Sequence, residues 1–338
     1  MTQTDRRGPL PLIGDIRLTG RIALSPMAGI TDAPFRRIAR RFGAALAASE
    51  MTTADTALWQ SSKSRHRLDI DQDASPRVVQ IAGSEPQQLA AAAEAVVERG
   101  AEIVDINMGC PAKKVCKKLA GSALLQDERL VAEILSTVVS AVPVPVTLKT
   151  RLGWDQQHLN IPTIASIAED AGIAAIAIHG RTRACRYRGD ARFELIRDVK
   201  RTCRIPVFAN GDIVSAQVAQ QVLDFTGADG LLIGRATQGR PWILREISEF
   251  IASGVLPAPL SIRERHAIIA DHLKALHAFY GEKKGLLMAR KHLNWYCKEF
   301  NVADHRRREL LATPTVELQA ALAGQMFDGT GHSTSVAA

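Results

Sequence analysis

The sequence predicts an α/β protein: a (β/α)8 TIM barrel followed by a C-terminal helical domain. Short apolar runs alternate with helix-length stretches from residue 21 to about 236, eight such runs can be counted, and only helical patterning follows them. Eight strands alternating with helices are typical of a closed barrel rather than an open doubly wound sheet. The dinucleotide fingerprint GxGxxG is also absent from the chain, which weakens the open-sheet interpretation further.

The predicted strands are rich in Val and Ile, as buried parallel strands tend to be. They cover residues 22–24, 45–49, 78–81, 103–106, 146–148, 174–178, 207–209 and 231–233. Several of the intervening stretches carry apolar residues at helical spacing, for example 87–99, 130–142 and 216–225. This alternation predicts that every strand is followed by a helix that covers the outside of the barrel.

The domain organisation follows from where the alternation stops. We predict a barrel domain over residues 14–245 and a helical domain over 246–325, with helical segments near 262–280, 285–299 and 304–323. The tail over 326–338 is rich in Gly and Ser, and such a composition predicts disorder.

Composition restricts the class of protein. Hydrophobic residues make up 46% of the 338 residues and charged residues 23%, as in an ordinary globular protein. Five cysteines without a CxxC pair argue against a disulfide framework and a structural zinc site. The N-terminus lacks the apolar core of a signal peptide, and no apolar run is long enough to span a bilayer. These features predict a cytoplasmic protein without a membrane partner, and a monomer is the expectation.

Polar residues stand at the carboxyl ends of nearly all the predicted strands, where a barrel carries its active site. A polar residue at one strand end is also an ordinary strand-to-loop boundary, but eight together predict an active site. The ends include Pro26-Met27-Ala28, Gln80, Asn107, Lys149, His179, Asn210-Gly211-Asp212 and Gly234-Arg235.

The last two strand ends suggest a phosphate. Gly211 and Gly234 would let backbone N–H groups approach a phosphate group closely, and Arg235 would add a cation. Taken alone, these glycines fit ordinary turns equally well. Gln80, Lys149 and His179 suit the edge of a flat heterocycle, and the acids and histidines do not cluster at metal spacing, so no metal site is expected.

Cys110 is the sharpest single feature. It follows Asn107 at the end of the fourth predicted strand, and four lysines (Lys113, Lys114, Lys117 and Lys118) follow it. A thiol in a cationic loop could act as an acid or as a nucleophile. Cys116 has no comparable place and is expected to be structural.

Lys149 permits a second chemistry, because a lysine at a barrel strand end also forms the Schiff base of aldolases. Arg151, on the same side of the strand, would favour its neutral amine. A phosphate cup together with a cysteine acid fits a flavin better than an imine.

Positive charge is concentrated in two stretches. Residues 181–204 hold nine basic residues against three acidic ones, and residues 281–308 hold eight against three. Arg181 and Arg183 lie in the first stretch, and Arg290 and Lys291 in the second. Two basic surfaces fit a long polyanion such as RNA, although the second stretch alone could be a solvated helix face.

Several of these motifs resemble those of the tRNA-dihydrouridine synthases. The relevant strings are PMAGITD at 26–32, NMGCPAKKV at 107–115, HGRTR at 179–183 and NGDI at 210–213. GRATQGRPW at 234–242 and ARKH at 289–292 resemble the bacterial synthase B subgroup. The resemblance extends over residues 14–325.

The resemblance implies a cofactor, a substrate and residue roles. Pro26, Met27 and Ala28 would line the isoalloxazine of a tightly bound FMN, while Gln80 and Lys149 would bond its edge. His179, Asn210, Gly211, Asp212, Gly234 and Arg235 would hold its ribityl chain and phosphate. Asn107 would orient the uracil, Cys110 would protonate it, and the substrate would be a tRNA uridine in the D-loop, at position 17.

The implied reaction begins with reduction of FMN by NADPH or NADH. Hydride then passes to C6 of the uracil, and Cys110 donates a proton to C5. Two other classes of function remain open from the sequence. One is a small-molecule flavin reductase of the dihydropyrimidine or dihydroorotate type, and the other is an RNA-binding barrel that has lost activity.

Overall fold

The computed structural model describes residues 8–327. The described chain divides into two compact units, one formed by residues 8–234 and 243–256 and the other by residues 235–242 and 257–327. The first unit carries the strands and the second is helical. Within the described residues, no helix combines the length and apolar character that a membrane span requires.

The first unit is built on a parallel sheet in which each strand pairs with its neighbours around a ring. Its strands, after an antiparallel hairpin of β1 (Leu12–Ile13) and β2 (Ile16–Arg17), are β3 (Ile22–Leu24), β4 (Leu46–Ala47), β5 (Thr52–Thr53), β6 (Val78–Ala82), β7 (Ile103–Asn107), β8 (Val146–Arg151), β9 (Ala175–His179), β10 (Val207–Asn210) and β11 (Gly230–Ile233). The spatial order is β4-β3-β11-β10-β9-β8-β7-β6-β5, and these pairings are parallel.

One short segment closes the ring. β4 pairs with β3, and β5 pairs with β6, so that both ends of the row belong to residues 46–53. Between them, the backbone N–H of Ser49 donates to Val78 O at 2.9 Å. The segment therefore acts as a single interrupted strand, and the eight predicted strand positions are confirmed as a barrel.

The helices of the first unit alternate with the strands, as the sequence predicted. They are α1 (Ala33–Arg41), α2 (Ser62–Arg67), α3 (Pro86–Glu98), α4 (Lys113–Cys116), α5 (Glu128–Ala141), α6 (Ile161–Asp170), α7 (Glu194–Thr202), α8 (Ala216–Thr226) and α9 (Ile243–Ser253). Local signals set several boundaries: Asp32, Asp127 and Ser215 accept a backbone N–H at the start of α1, α5 and α8. Gly227 ends α8 in the left-handed conformation with φ +68°.

The β1–β2 hairpin was not predicted from the sequence, and it closes the amino-terminal end of the barrel. Ile13 packs in one cluster with Val78, Ile103 and Phe208, near the beginnings of their strands. Above this layer a cavity of about 50 Å³ reaches from Ile13 to Pro26 and Lys149. The opposite end, where the strands finish, carries the polar residues.

The second unit contains α10 (Ile262–Tyr280), α11 (Glu282–Glu299), α12 (Asp304–Ala312) and α13 (Val316–Phe327). Ser261 and Glu264 form a reciprocal capping box at the start of α10. Its core includes Leu273, Leu293 and Tyr296, and the buried His272 ring lies 4.5 Å from the buried His292 ring.

Three details of the helical region differ from the predictions. The segment predicted over 304–323 is two helices, because Pro314 has no N–H and forces Thr313 out of the helical conformation. α9 belongs with the barrel, whereas the predicted helical domain began at residue 246. Met326 and Phe327, placed in the predicted disordered tail, are buried at the end of α13; the rest of that tail lies outside the described residues.

Candidate active site

The parallel register brings the predicted polar residues together at the carboxyl ends of the strands. Asn107 is the register partner of Lys149, and His179 is that of Asn210. Gln80, Asn107, Lys149, His179 and Asn210 are all buried. Gln80 and Asn210 are 130 residues apart in sequence, yet both lie at the carboxyl end of the barrel, which is called the rim below.

A chain of hydrogen bonds begins one layer below this rim. Asp105 Oδ2 accepts from Gln80 Nε2 at 2.6 Å, and Asp105 Oδ1 accepts from Thr147 Oγ1 at 2.7 Å. Gln80 Oε1 in turn accepts from Asn107 Nδ2 at 2.9 Å. Asn107 Oδ1 accepts the backbone N–H groups of Cys110, at 2.9 Å, and Gly109, at 3.2 Å.

Asp105 is a site residue that was missed from the sequence. It stands inside the apolar strand β7, and that lone acid between Val104 and Ile106 was the signal that could have identified it. Burial raises the pKa of the Asp105 carboxyl to about 6, against the hydrogen bonds from Gln80 and Thr147 and the nearby Lys149, which lower it. The carboxyl is thus mainly ionised at neutral pH.

Lys149 is the buried cation of the layer. Its Nζ donates to Asn210 Oδ1 at 3.2 Å, and Asn210 Nδ2 donates to Leu232 O at 2.8 Å. The pKa of Lys149 is lowered to about 8, with burial as the larger cause and the charge of Arg151 as the next. The effect of Arg151 has the direction that the sequence predicted. The ammonium form still predominates at neutral pH, so Lys149 can donate to an acceptor at the rim.

The backbone of Cys110 is held from both sides. Asn107 accepts its N–H, while Ser122 donates to its carbonyl oxygen through Oγ, at 2.9 Å, and through the backbone N–H, at 3.2 Å. Gly121 has φ +63°, and a Cβ there would lie 2.9 Å from Cys110 O, so only glycine allows this approach. The thiol is half-buried at the rim, on a loop that the surrounding hydrogen bonds fix in place.

Arg151 ties the cysteine loop to the loop after β9. Its Nε donates to Gly109 O at 2.6 Å, and its Nη1 donates to Thr182 O at 3.1 Å and Arg186 O at 3.2 Å. Its guanidinium also lies 5.7 Å from the ring centre of Tyr187, which is 56% exposed. Tyr187 was not singled out from the sequence; an aromatic residue among the arginines of 181–192 was the available signal.

The thiol of Cys110 is more weakly acidic than an ordinary cysteine. Burial raises its pKa, and the N–H of Ala112 and the charges of Arg151 and Lys149 offset this only in part. The four lysines that follow it are exposed, and the largest influences on this pKa come from burial and from other groups. A protonated thiol is the form that can donate a proton, so the raised pKa favours an acid over a nucleophile.

The tip of β3 carries Pro26, Met27 and Ala28 in a turn with its own supports. Thr31 Oγ1 accepts from Met27 N at 3.0 Å, and Glu50 accepts the N–H of Gly29. The fully buried Arg36 donates to Thr31 O at 3.0 Å. The turn is therefore a fixed apolar wall at the rim.

The segment after β10 forms a tight cradle. Gly211 has φ +132°, and a Cβ there would lie 2.7 Å from Ala191 Cβ and 3.3 Å from His179 Cδ2. Asp212 also has positive φ, at +44°, and accepts two hydrogen bonds from Arg181. Gly234 lies beside the β3 tip, because a Cβ there would be 3.7 Å from Ser25 Cβ and 3.8 Å from Met27 Sδ.

These residues fit a flat heterocycle with a phosphate tail. The rim offers amide, ammonium and imidazole groups beside an apolar wall, and the backbone of Gly234 carries no side chain next to that wall, as close approach of a phosphate requires. Asp212 is the one acid of the cradle, and the Arg181 guanidinium pairs with it at 2.5 Å.

The predicted RNA-contacting residues are placed differently from one another. Arg181 is 3% exposed, and its guanidinium is committed to Asp212 rather than to solvent. Arg183 is half-buried, with its guanidinium 4.1 Å from the ring centre of Trp154. The exposed cations near the rim are instead Arg186, Arg188 and the lysines of the cysteine loop.

Three predicted residues lie in the second unit. Arg235 begins a short 3-10 turn, Arg235–Thr237, directly after Gly234. Arg290 and Lys291 are half-buried, and Arg290 Nη2 donates to Thr313 O at 3.1 Å, from α11 to the end of α12. The neighbouring Ala289 and His292 of the ARKH string face the core, where burial lowers the pKa of His292. The roles of these three residues in binding remain predictions.

Comparison with known proteins identifies the family. The family model of the dihydrouridine synthases matches residues 23–327. The chain is 53% identical over 316 residues to tRNA-dihydrouridine synthase B of Xanthomonas campestris, covering 94% of this chain and 95% of that protein. It is 52% identical over 327 residues to tRNA-dihydrouridine synthase B of Pseudomonas aeruginosa, covering 96% and 98%. The resemblance read from the motifs is confirmed.

The opposite pKa shifts of two half-buried thiols, Cys110 and Cys185, can be tested by their reactivity. Cys185 is also half-buried, but hydrogen bonds from Thr182 and Gln156 outweigh the effect of burial and lower its pKa. Because the thiolate is the form that is alkylated, Cys185 should react with iodoacetamide at lower pH than Cys110. Peptide mass spectrometry across a pH series measures both in one sample. The reverse order would contradict the acid role.

Proposed function

The chain belongs to the dihydrouridine synthase family, and we propose that it is an FMN-dependent tRNA-dihydrouridine synthase that reduces the C5=C6 bond of a D-loop uridine, at position 17. The observation that carries the proposal is a half-buried thiol with a raised pKa, fixed at a rim of hydrogen-bond donors. The names of the two relatives support tRNA as the substrate.

FMN would lie across the rim, with Pro26, Met27 and Ala28 against one face. Gln80 and Lys149 would donate to its polar edge, and the cradle of Gly211 and Asp212 beside His179 would receive the phosphate end. When bound, FMN supplies the hydride that C6 of the uracil accepts, with NADPH or NADH as the reductant. The chain itself supplies the apolar wall, the donors and a water-poor layer, since Gln80, Lys149 and His179 are buried.

Cys110 would complete the reduction by giving a proton to C5 of the uracil. Hydride addition at C6 leaves negative charge on the C4 carbonyl and C5, and a neutral thiol held nearby can quench it. Asn107, which holds the Cys110 N–H, would also donate to the uracil. The tRNA uridine must leave its stack to reach this layer, because the rim groups are buried at the barrel mouth.

Flavin content is the first test. The purified chain should be yellow and release FMN rather than FAD, because the site offers one phosphate cradle. Lys149→Met should lower the amount of flavin retained, since it removes the buried cation that donates at the rim. Absorbance spectra and chromatography of the released flavin measure both. Release of FAD, or a colourless folded protein, would contradict the proposal.

The role of Cys110 is tested by separating the two half-reactions. Cys110→Ala should keep its flavin and accept hydride from NADPH at a near-native rate, because the thiol takes no part in that step. Transfer to tRNA should slow by roughly 10²–10⁴-fold, the usual cost of losing a positioned general acid. Single-turnover reoxidation with tRNA measures this decrease.

The matched control for that variant is Cys116→Ser. Cys116 Sγ lies 3.7 Å from Cys110 O, and a serine keeps a donor there while removing a thiol. It should behave as the native chain. If Cys110→Ala reduces tRNA at the native rate, another acid performs the protonation.

The exposed lysines beside Cys110 should bind tRNA phosphates. Replacing Lys117 and Lys118 by Gln should raise the KM for tRNA and reduce the slope of its salt dependence by about one unit for each phosphate that is no longer bound. NADPH oxidation without tRNA should not change. Arg201→Gln with Arg204→Gln removes the same charge next to the beginning of β10, at the opposite end of the barrel, and should leave the KM unchanged. Equal effects of the two pairs would mean that only net charge matters.

A further inference from the structure

A series of hydrogen bonds connects Asp105 to Cys110 through Gln80 and Asn107, and in each of them the donor lies on the Cys110 side. The groups at the two ends of the series require this direction. An ionised carboxylate can only accept hydrogen bonds, and a backbone N–H can only donate. Asp105 therefore needs the NH₂ group of Gln80 at 2.6 Å, and the N–H of Cys110 needs the carbonyl oxygen of Asn107 at 2.9 Å. The Asn107 NH₂ and the Gln80 oxygen then meet at 2.9 Å with matching roles.

Reversing either amide breaks a hydrogen bond at one end. A flipped Gln80 would turn its oxygen toward the Asp105 carboxylate, and a flipped Asn107 would turn its NH₂ toward the N–H groups of Gly109 and Cys110. Gln80 and Asp105 are register partners on β6 and β7, and both side chains are buried, so water cannot repair either mismatch.

We propose that Asp105 is a positioning residue that determines which polar atoms the active site presents to its substrate. Its carboxylate sets the orientation of Gln80, Gln80 sets that of Asn107, and Asn107 holds the loop of Cys110. The inference deepens the proposed function and rests on it for the identity of the ligand.

The consequence for recognition lies at Asn107. Its oxygen already accepts two backbone N–H groups, which uses both lone pairs, and one N–H of its amide goes to Gln80. Within the described residues, one N–H of the Asn107 amide is the only hydrogen-bonding group of this side chain that is still available to a ligand. Asn107 can therefore bind a carbonyl oxygen of uracil, whereas the exocyclic amine of cytosine would meet a donor.

The test is an exchange that reverses the chain of hydrogen bonds while keeping the net charge. Asn107→Asp alone leaves Gln80 between two carboxylates, so one hydrogen bond must fail. Adding Asp105→Asn allows the opposite direction: the new amide donates to Gln80 Oε1, and Gln80 Nε2 donates to the new carboxylate. That carboxylate still accepts from Gly109 and Cys110, and Thr147 still has an acceptor.

Thermal unfolding of the flavin-bound proteins measures the outcome. Asn107→Asp should lower the midpoint the most. Asp105→Asn alone should lower it less, because its oxygen still accepts from Gln80 and its NH₂ can donate to Thr147 Oγ1. The double variant should melt above Asn107→Asp alone and retain flavin. Its tRNA reduction should stay at least about 10²-fold below native, because residue 107 then offers no donor.

The matched control pairs Asp105→Asn with Asn210→Asp. Asn210 lies in the same layer but bonds Lys149 and Leu232 instead of this chain of hydrogen bonds. This double variant has the same net charge, and its melting point should not exceed that of Asn210→Asp alone. Rescue in both pairs, or in neither, would overturn the proposal. The melting measurements do not depend on catalysis, so they separate this proposal from the proposed function. If the native protein reduces tRNA but the melting points do not follow the expected order, the role of Asp105 is wrong. If the melting points follow that order but the native protein does not reduce tRNA, the proposed function is wrong.

Discussion

The parallel register of the closed barrel is the constraint on which the site depends. It pairs Gln80 with Asp105, Asn107 with Lys149 and His179 with Asn210, so that side chains from neighbouring strands meet inside the carboxyl end of the barrel. Closure through residues 46–53 also adds Glu50, which supports the turn at Gly29. A shift of one residue in any strand would turn its inward side chains outward and dissolve this layer.

Burial determines how the charges in this layer behave. Asp105, Lys149 and Arg151 are each buried, and burial is the largest influence on the pKa of each, upward for the acid and downward for the cations. Each is tolerated because specific hydrogen bonds replace water. The hydrogen bonds that offset the cost of desolvation also hold these side chains in one orientation. The site is therefore preorganised, because the buried charges would otherwise destabilise the fold.

Features that are local and periodic could be predicted from the sequence. Strand positions, most helices and the polar strand ends follow from alternation, and Cys110 was recognisable from its neighbours. Pairings between distant residues could not be predicted. Arg181, which was expected to contact RNA, instead donates to Asp212, 31 positions further along the chain, and is withdrawn from solvent. Asp105 is visible in the sequence as a lone acid in an apolar strand, but its role is not, because only the barrel shows that its neighbours are Gln80 and Thr147.

The cysteine loop resolves an ambiguity that its sequence leaves open. Four lysines beside a thiol suggest a lowered pKa and a nucleophile, yet the pKa of Cys110 is raised, with burial as the main cause. The lysine side chains are exposed, and charges in water are screened over a short distance, whereas the thiol itself is partly withdrawn from water. In the proposed function, the lysines would attract a polyanion without ionising the acid beside them, and one short loop would serve both purposes.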